Sequence, residues 1–377
     1  MTIILGYIDI ILFSLGTFTV IYMLIYTIAA MIKRNDKYTE SRVKHRFAVI
    51  FPAYKDDEYI LQSVKSFLQQ EYPIDCYDII VIADHLQPET NIQLSQLPII
   101  LLQGNLINSS KMKSVKVAMS QLHEEDYDLV LIMNADNTAD NNLLNELNNT
   151  YSSGSNAIQV HRIRQERPNS VAVLNAITDE INNSIFRAGH AALGLSSSLN
   201  GSGMAFDFDW FKQAISNVDN KEDEKVIESL LLKEQIYIEY LNKSYIYATR
   251  KEGKKKFYSQ RQNWIKAHYY SLFTNISHLP GAIFSGNFDY ADRILQWVSF
   301  PRTILLGIII LAGTFYTYID WLSGLKWWGL LFTFLLTLAF ATPDYLVDDK
   351  FNKAIKVTPF MGLGMILNLL IGSKKKQ

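Results

Sequence analysis

The chain has 377 residues, with 36 Lys and Arg against 37 Asp and Glu and a formal net charge of −1. That balance argues against nucleic acid as a partner, and a single cysteine, Cys76, excludes both an intrachain disulfide framework and a Cys-based zinc cluster. With 49% hydrophobic residues and no heptad or Gly-X-Y period, the chain is not disordered, collagenous or a coiled coil.

The first element is apolar. Ile10 to Ile32 holds 23 positions without a charge, and about 20 such residues in a helix cross the hydrocarbon core. No Lys or Arg precedes the run and no small-residue cleavage site follows it, so it reads as an anchor rather than a signal peptide. The next segment, Lys33 to Arg46, carries six Lys and Arg against two acids. The excess of basic residues places this end in the cytoplasm.

From Phe47 the pattern alternates. Phe47–Phe51, Asp78–Ala83, Ile99–Leu102, Leu129–Met133 and Ala157–His161 are short apolar runs, the mark of strands buried on both faces. Between them, Glu58–Gln70, Lys111–Leu122 and Asp140–Thr150 have helical spacing. This alternation predicts a parallel α/β sheet covered by helices, with ligands beyond the carboxyl ends of the strands. Polar turns stand at those ends: Pro52-Ala53-Tyr54-Lys55-Asp56-Asp57-Glu58, then Asp84, then Asn134-Ala135-Asp136-Asn137. Carboxylates gathered at one edge repel unless a cation joins them, and Mg2+ or Mn2+ takes oxygen ligands and bridges them to phosphates. Lys111 and Lys113 open a helix and read as a solvated face rather than as phosphate ligands. The seven histidines show no metal-ligand spacing, although His85 sits beside Asp84.

The C-terminal part is apolar again. Thr303–Ile319 and Trp327–Pro343 are each 17 residues without a charge and read as a spanning hairpin, with Trp327 and Trp328 suited to a membrane interface. Ala291–Phe300 and Val357–Gly372, the latter followed by three lysines, read as helices lying on the membrane. The count is three spans, with the residues between the first two in the cytoplasm.

The order of these motifs resembles the family 2 glycosyltransferases, the processive and lipid-anchored group that includes cellulose and hyaluronan synthases. Phe51-Pro-Ala-Tyr-Lys-Asp-Asp-Glu is similar to their first turn, and Gln69-Gln-Glu-Tyr-Pro73 to the phrase that ends the next helix. Asp84 matches their single aspartate, Asn134-Ala135-Asp136 their D-x-D, and Gly201-Ser202-Gly203-Met204-Ala205-Phe206 their acceptor loop. Glu222-Asp223 matches the pair that holds the general base, and Gln260-Arg261-Gln262-Asn263-Trp264 their Q-x-x-R-W. Met365 to Lys376 resembles the family's closing interfacial helix.

The resemblance implies an α/β fold: a GT-A nucleotide-sugar-binding (Rossmann-like) domain flanked by transmembrane helices. The expected division is a helix at 1–33, a cytoplasmic catalytic domain at 34–270, and interfacial helices with a transmembrane hairpin at 271–377. Pro52, Tyr54, Asp56, Asp84, Asn134 and Asp136 would hold the donor, a UDP-type nucleotide sugar. Asp136 and Asn134 would hold Mg2+ or Mn2+. Asp223, paired with Glu222, would take the proton of the acceptor hydroxyl in an inverting single displacement. Gly201, Ser202, Gly203, Gln260, Arg261 and Trp264 would bind the acceptor, a glycan or a lipid-linked sugar. Membrane lipids and polysaccharide-assembly proteins are the other implied partners, and a bacterial inner membrane the implied location. Two positions depart from the family: Asn134 replaces an acid and Asn263 an arginine, which loses a bidentate phosphate donor. They keep open a degenerate scaffold of a polysaccharide-assembly complex. A nucleotidyltransferase fits less well, since Ala53–Glu58 has one Lys against three acids instead of a basic loop.

Overall fold

The computed structural model describes residues 2–32, 38–104, 106, 109–218, 224–250, 254–354 and 356. The chain forms two compact units, one of Arg34–Glu166 and Gly194–Lys251, the other of Met1–Lys33, Arg167–Leu193 and Glu252–Gln377.

The first unit is built on one eight-stranded sheet. Its strands are β1 (Phe47–Tyr54), β2 (Tyr77–Asp84), β3 (Ile100–Gln103), β4 (Leu129–Ile132), β5 (Asn137–Ala139), β6 (Ala157–Arg164), β7 (Met204–Asp207) and β8 (Ile238–Ala248), in the order β3-β2-β1-β4-β7-β6-β8-β5. The five strands expected from apolar runs are all present. The sheet is mixed rather than parallel: β1 pairs in parallel with β2 and β4, and β2 with β3, but β7 runs antiparallel between β4 and β6. Met204-Ala205-Phe206 are buried in β7, between β4 and β6. The motif read as a loop is therefore half strand.

Burial explains the continuous apolar runs. Phe47, Val49 and Phe51 lie in one cluster with Ile60, Val64 and Phe67 of the helix Ile60–Phe67, and Leu143, Leu144 and Leu147 of the helix Leu143–Ser152 join it. Each such side chain contributes about 1.5–3 kcal/mol by leaving water. The helix Lys111–Gln121 begins with Ser110, whose side chain accepts from the backbone N–H of Lys113, the usual way of satisfying an orphan donor at a helix start.

Among its described residues, the second unit holds three helices long and apolar enough to cross a membrane: Leu5–Ala30, Arg302–Ile319 and Trp321–Phe340. Their number agrees with the sequence. The last begins six residues before the expected span, because Asp320 accepts from the backbone N–H of Leu322 and Ser323 and caps it. Trp327 is fully buried against protein, and its indole N–H donates to Asp9 at 2.9 Å. Lys326 pairs with the same Asp9. A charge inside a span is tolerated when it has such partners.

A second polar cluster braces the first helix. Tyr26 donates to Asp292 at 2.6 Å, Tyr22 donates to it at 3.0 Å, and His190 lies 3.0 Å from its other oxygen. Tyr26 stacks on the His190 ring at 3.7 Å. This contact needs Gly189, in a π-helical turn over Ser184–Gly189: a Cβ there would stand 2.2 Å from the Tyr26 carbonyl oxygen. Val357–Gly372 and Met365–Lys376 lie outside the described residues.

Gly189→Ala should cost about 1–3 kcal/mol by overpacking against backbone and lower the apparent Tm of the detergent-solubilised protein by several degrees. Gly6→Ala, where a Cβ meets nothing within 4 Å, should leave the melt unchanged.

Candidate active site at the carboxyl edge of the sheet

Parallel strands that end side by side put their following turns together. Tyr54 pairs with Asp84 at the ends of β1 and β2. There Asp84 is fully buried and its carboxylate is engaged by protein groups. Ser109 donates to it, the Leu106 N–H donates at 3.3 Å, and His85 Nδ1 lies 2.6 Å away. Asp84 thus braces the segment after β3 against β2. Lys55 and His85 have φ of 53° and 57°, the turn geometry that the two strand ends impose. The Tyr54 ring meets the His85 ring edge-on at 5.6 Å, the Lys55 ammonium lies over it at 5.2 Å, and the residue is partly exposed. Pro52 is half-buried within β1.

The turn after β4 is tied to the glycine loop. The Asn134 N–H donates to Ser202 Oγ at 3.0 Å, and Ser202 Oγ donates to Asn137 Oδ1 at 3.2 Å. Gly203 donates to the Ile132 carbonyl at 2.9 Å. Gly201 and Gly203 have φ of 77° and 64°, and a Cβ on Gly203 would stand 2.6 Å from Ile246. A Cβ on Gly201 would stand 2.5 Å from Glu224 Oε1. Both glycines are required by their left-handed backbone, and a Cβ on Gly203 would also stand 3.1 Å from Val160 Cβ. Residues 134–137 and 201–203, far apart in sequence, form one hydrogen-bonded group.

The decisive residue of this edge is one the sequence reading did not single out. β8 ends beside β5, where Thr249 donates to the Asp136 carbonyl through its N–H at 3.0 Å and its hydroxyl at 2.9 Å. This places Arg250 between two carboxylates. Its Nε donates to Asp136 at 2.8 Å, and its Nη2 donates to Asp56. The guanidinium also lies over the Tyr59 ring at 5.3 Å, within cation–π range. Burial acts to raise the pKa of Asp136, but Arg250, Arg162 and Arg164 outweigh it and hold the carboxyl below the ordinary range. Burial keeps Asp56 above its ordinary value despite Arg250. A lone arginine after an alternating strand carries no motif, so only the tertiary pairing reveals it.

Lys111 also departs from its reading as a solvated residue. It donates to Asn134 Oδ1 at 2.8 Å. Desolvation lowers its pKa to about 8, with Arg162 acting in the same sense and Glu224 and Asp136 opposing.

The expected Mg2+ or Mn2+ meets a ligand set that already has partners. The Asn134 amide oxygen is bonded to Lys111 and an Asp136 oxygen to Arg250. Among the described residues no group of three or more His, Cys, Asp or Glu side chains is placed to hold a metal ion. As arranged, these residues do not fit a divalent ion, which requires several free hard oxygens.

The remaining expected residues have other surroundings. Glu222 and Asp223 lie outside the described residues. Gln260, Arg261 and Trp264 are on the helix Lys254–Asn275, in the unit that holds the spanning helices. Arg261 donates to Thr178 at 2.9 Å, and Trp264, 40% exposed, stacks on His268 at 5.3 Å. Asn263 is exposed on the same helix.

Lys111 carries its charge below about pH 8 and loses it above. Anion binding at Asn134 and Asp136 should therefore weaken as pH rises from 7 to 9.5. Nucleoside-diphosphate affinity measured across that range should fall in the native chain and be nearly flat in Lys111→Met.

No curated protein sequence matches the chain significantly. Among solved structures, it is similar to the mannosyltransferase PcManGT from Pyrobaculum calidifontis, in complex with GDP-Man and Mn2+, at 14% identity and a TM-score of 0.58, covering 88% of this chain and 97% of that one. It also matches S. aureus TarS 1–349 in complex with UDP-GlcNAc, at 16% identity and a TM-score of 0.48, over 83% and 91% of the two chains. The first likeness supports the fold. Residues 45–267, more than half the chain, match the family described as glycosyltransferase like family 2. With the turns after β1 and β4 and the glycine loop joined at one edge of a GT-A sheet, the chain belongs to the family 2 glycosyltransferases.

Proposed function

We propose that the protein is an inverting glycosyltransferase that moves a sugar from a nucleotide sugar, UDP-type in our reading, to a glycan or lipid-linked acceptor. The reading places it in a bacterial inner membrane, with residues 34–270 as the cytoplasmic catalytic domain. The observation that carries it is the convergence of Tyr54–Asp56, Asn134–Asp136 and Gly201–Gly203 at one sheet edge, held by Arg250 and Ser202. A transferase of this type needs a cradle for the diphosphate and one base, and not the carboxylate pair of a hydrolase.

Asp223 is that base. It takes the proton of the acceptor hydroxyl as the oxygen attacks the anomeric carbon. The bond from that carbon to the diphosphate breaks, and its electron pair leaves with the nucleotide. Cations beside the diphosphate stabilise the departing charge. Support for Asp223 comes from the Glu222-Asp223 pair in the sequence. Tyr54, partly exposed at the end of β1, packs with Pro52 on the donor base, and Asp84 acts by holding the loop that faces it. Gln260, Arg261 and Trp264 serve the acceptor: a partly exposed indole is a platform for a sugar. The three candidate spans among the described residues are few for an autonomous export channel. Single transfer to a lipid-linked acceptor, or work alongside assembly proteins, suits them better.

The test is nucleotide release by the full chain in detergent, screened with UDP- and GDP-sugars, with Mn2+, Mg2+ or EDTA. One donor should turn over, and Asp136→Ala and Asp223→Ala should each lower the rate about 100-fold or more. Turnover that survives Asp223→Ala removes that residue as the base. Nucleotide binding with no turnover of any donor favours the scaffold.

A further inference from the structure

In this chain the place of a divalent ion beside Asn134 and Asp136 is already held by protein cations. We infer that Arg250 and Lys111 replace the metal, binding the donor's diphosphate directly, so that donor binding is metal-independent. The inference rests on the nucleotide-sugar reading above.

Four observations lead to it. First, the acid that would open the metal pair is Asn134, a neutral amide whose oxygen is bonded to Lys111. Second, Asp136 and Asp56 share one guanidinium, so an oxygen of each carboxylate is occupied before any ligand arrives. The side chains of Arg250, Asp56 and Asp136 are 20%, 12% and 8% exposed, and a charge pair shielded in this way is costly to break. Third, Arg250 does not reach in from a distance. Thr249 is fastened to the Asp136 carbonyl by two hydrogen bonds, and the guanidinium lies on Tyr59. A metal ion would have to detach an arginine whose backbone stays in place. Fourth, positive charge gathers around the pair: Arg250, Arg162, Arg164 and Lys111 face Asp56, Asp136 and Glu224.

The donors also suit a diphosphate. A guanidinium has five N–H groups in a fixed fork. In Arg250, Nε and Nη2 are used, while Nη1 has no protein partner among the described residues. The Lys111 ammonium has three N–H groups, and one is given to Asn134. Two fixed cations thus offer unspent donors at the end of β4, where charge-assisted bonds to phosphate oxygens are strong. Asp136 and Asp56 then act as positioning residues that aim Arg250.

The experiment is calorimetric titration of the full chain in detergent with UDP and with GDP, each in EDTA and in Mn2+. One nucleotide should bind in EDTA with an affinity within about twofold of that in Mn2+, since fixed charge–phosphate bonds do the binding. Arg250→Ala should weaken binding in EDTA by about 10- to 100-fold, the usual worth of a charged hydrogen bond. Mn2+ should restore part of that loss, because the freed Asp56 and Asp136 carboxylates become ligands. Arg250→Lys should fall between. Binding by the native chain only in Mn2+, a comparison that needs no variant to fold, overturns the inference and leaves the glycosyltransferase reading intact. So does an Arg250→Ala chain that binds equally well or more tightly in EDTA. Failure of both nucleotides in both buffers overturns the inference and the reading together.

Discussion

Like charges cannot share a sheet edge without a counterion, and in this protein the counterion is a side chain. Arg250 joins Asp56, after β1, to Asp136, after β4. The hydrogen bonds from Thr249 make this a property of the sheet rather than of one rotamer, since β8 must end where β5 begins for Arg250 to arrive. Much of the edge follows from that fastening. It sets the turn Asn134–Asn137, fixes which carboxylate oxygens are occupied, and brings a guanidinium to the place where a nucleotide's phosphates are expected.

The glycine loop supplies the second fastening, and it does two jobs with consecutive residues. Ser202 binds the turn after β4, and Met204–Phe206 enter the sheet between β4 and β6. A strand buried in the middle of a sheet is hard to displace, because its backbone bonds and its apolar burial go together. The loop is therefore anchored by its own continuation. Gly201 and Gly203 allow the tight path between the two roles through their left-handed backbone.

In the unit that carries the spanning helices, apolar side chains supply length but polar ones supply register. Asp9 is met by Lys326 and Trp327, and Asp292 by Tyr22, Tyr26 and His190. Apolar surfaces slide against one another at little cost in lipid, whereas each polar cluster has a single satisfied arrangement. Gly189 lets the backbone of the first helix approach closely enough for the second cluster to close.

The sequence by itself determined the elements whose causes are local. The runs at Phe47, Asp78, Leu129 and Ala157 form strands because both of their faces are buried, the run at Ile99 forms a part-exposed strand at the edge of the sheet, and the three long apolar runs form helices because nothing in them suits any other structure in a membrane. It also placed informative turns after β1, β2 and β4, since parallel strands leave ligands no other edge. Tertiary structure decided what depends on pairing. β5 is three residues with no apolar signal and forms against the end of β8, while β8, with Glu239 buried, pairs along β6. Trp327 became a core residue only when Asp9 faced it. Above all, Lys111 and Arg250 read as unremarkable surface cations in one dimension. Their role comes from the acids and the amide opposite them, 23 and 114 residues away for Asn134 and Asp136, and no pattern along the chain encodes a charge pair that only folding brings together.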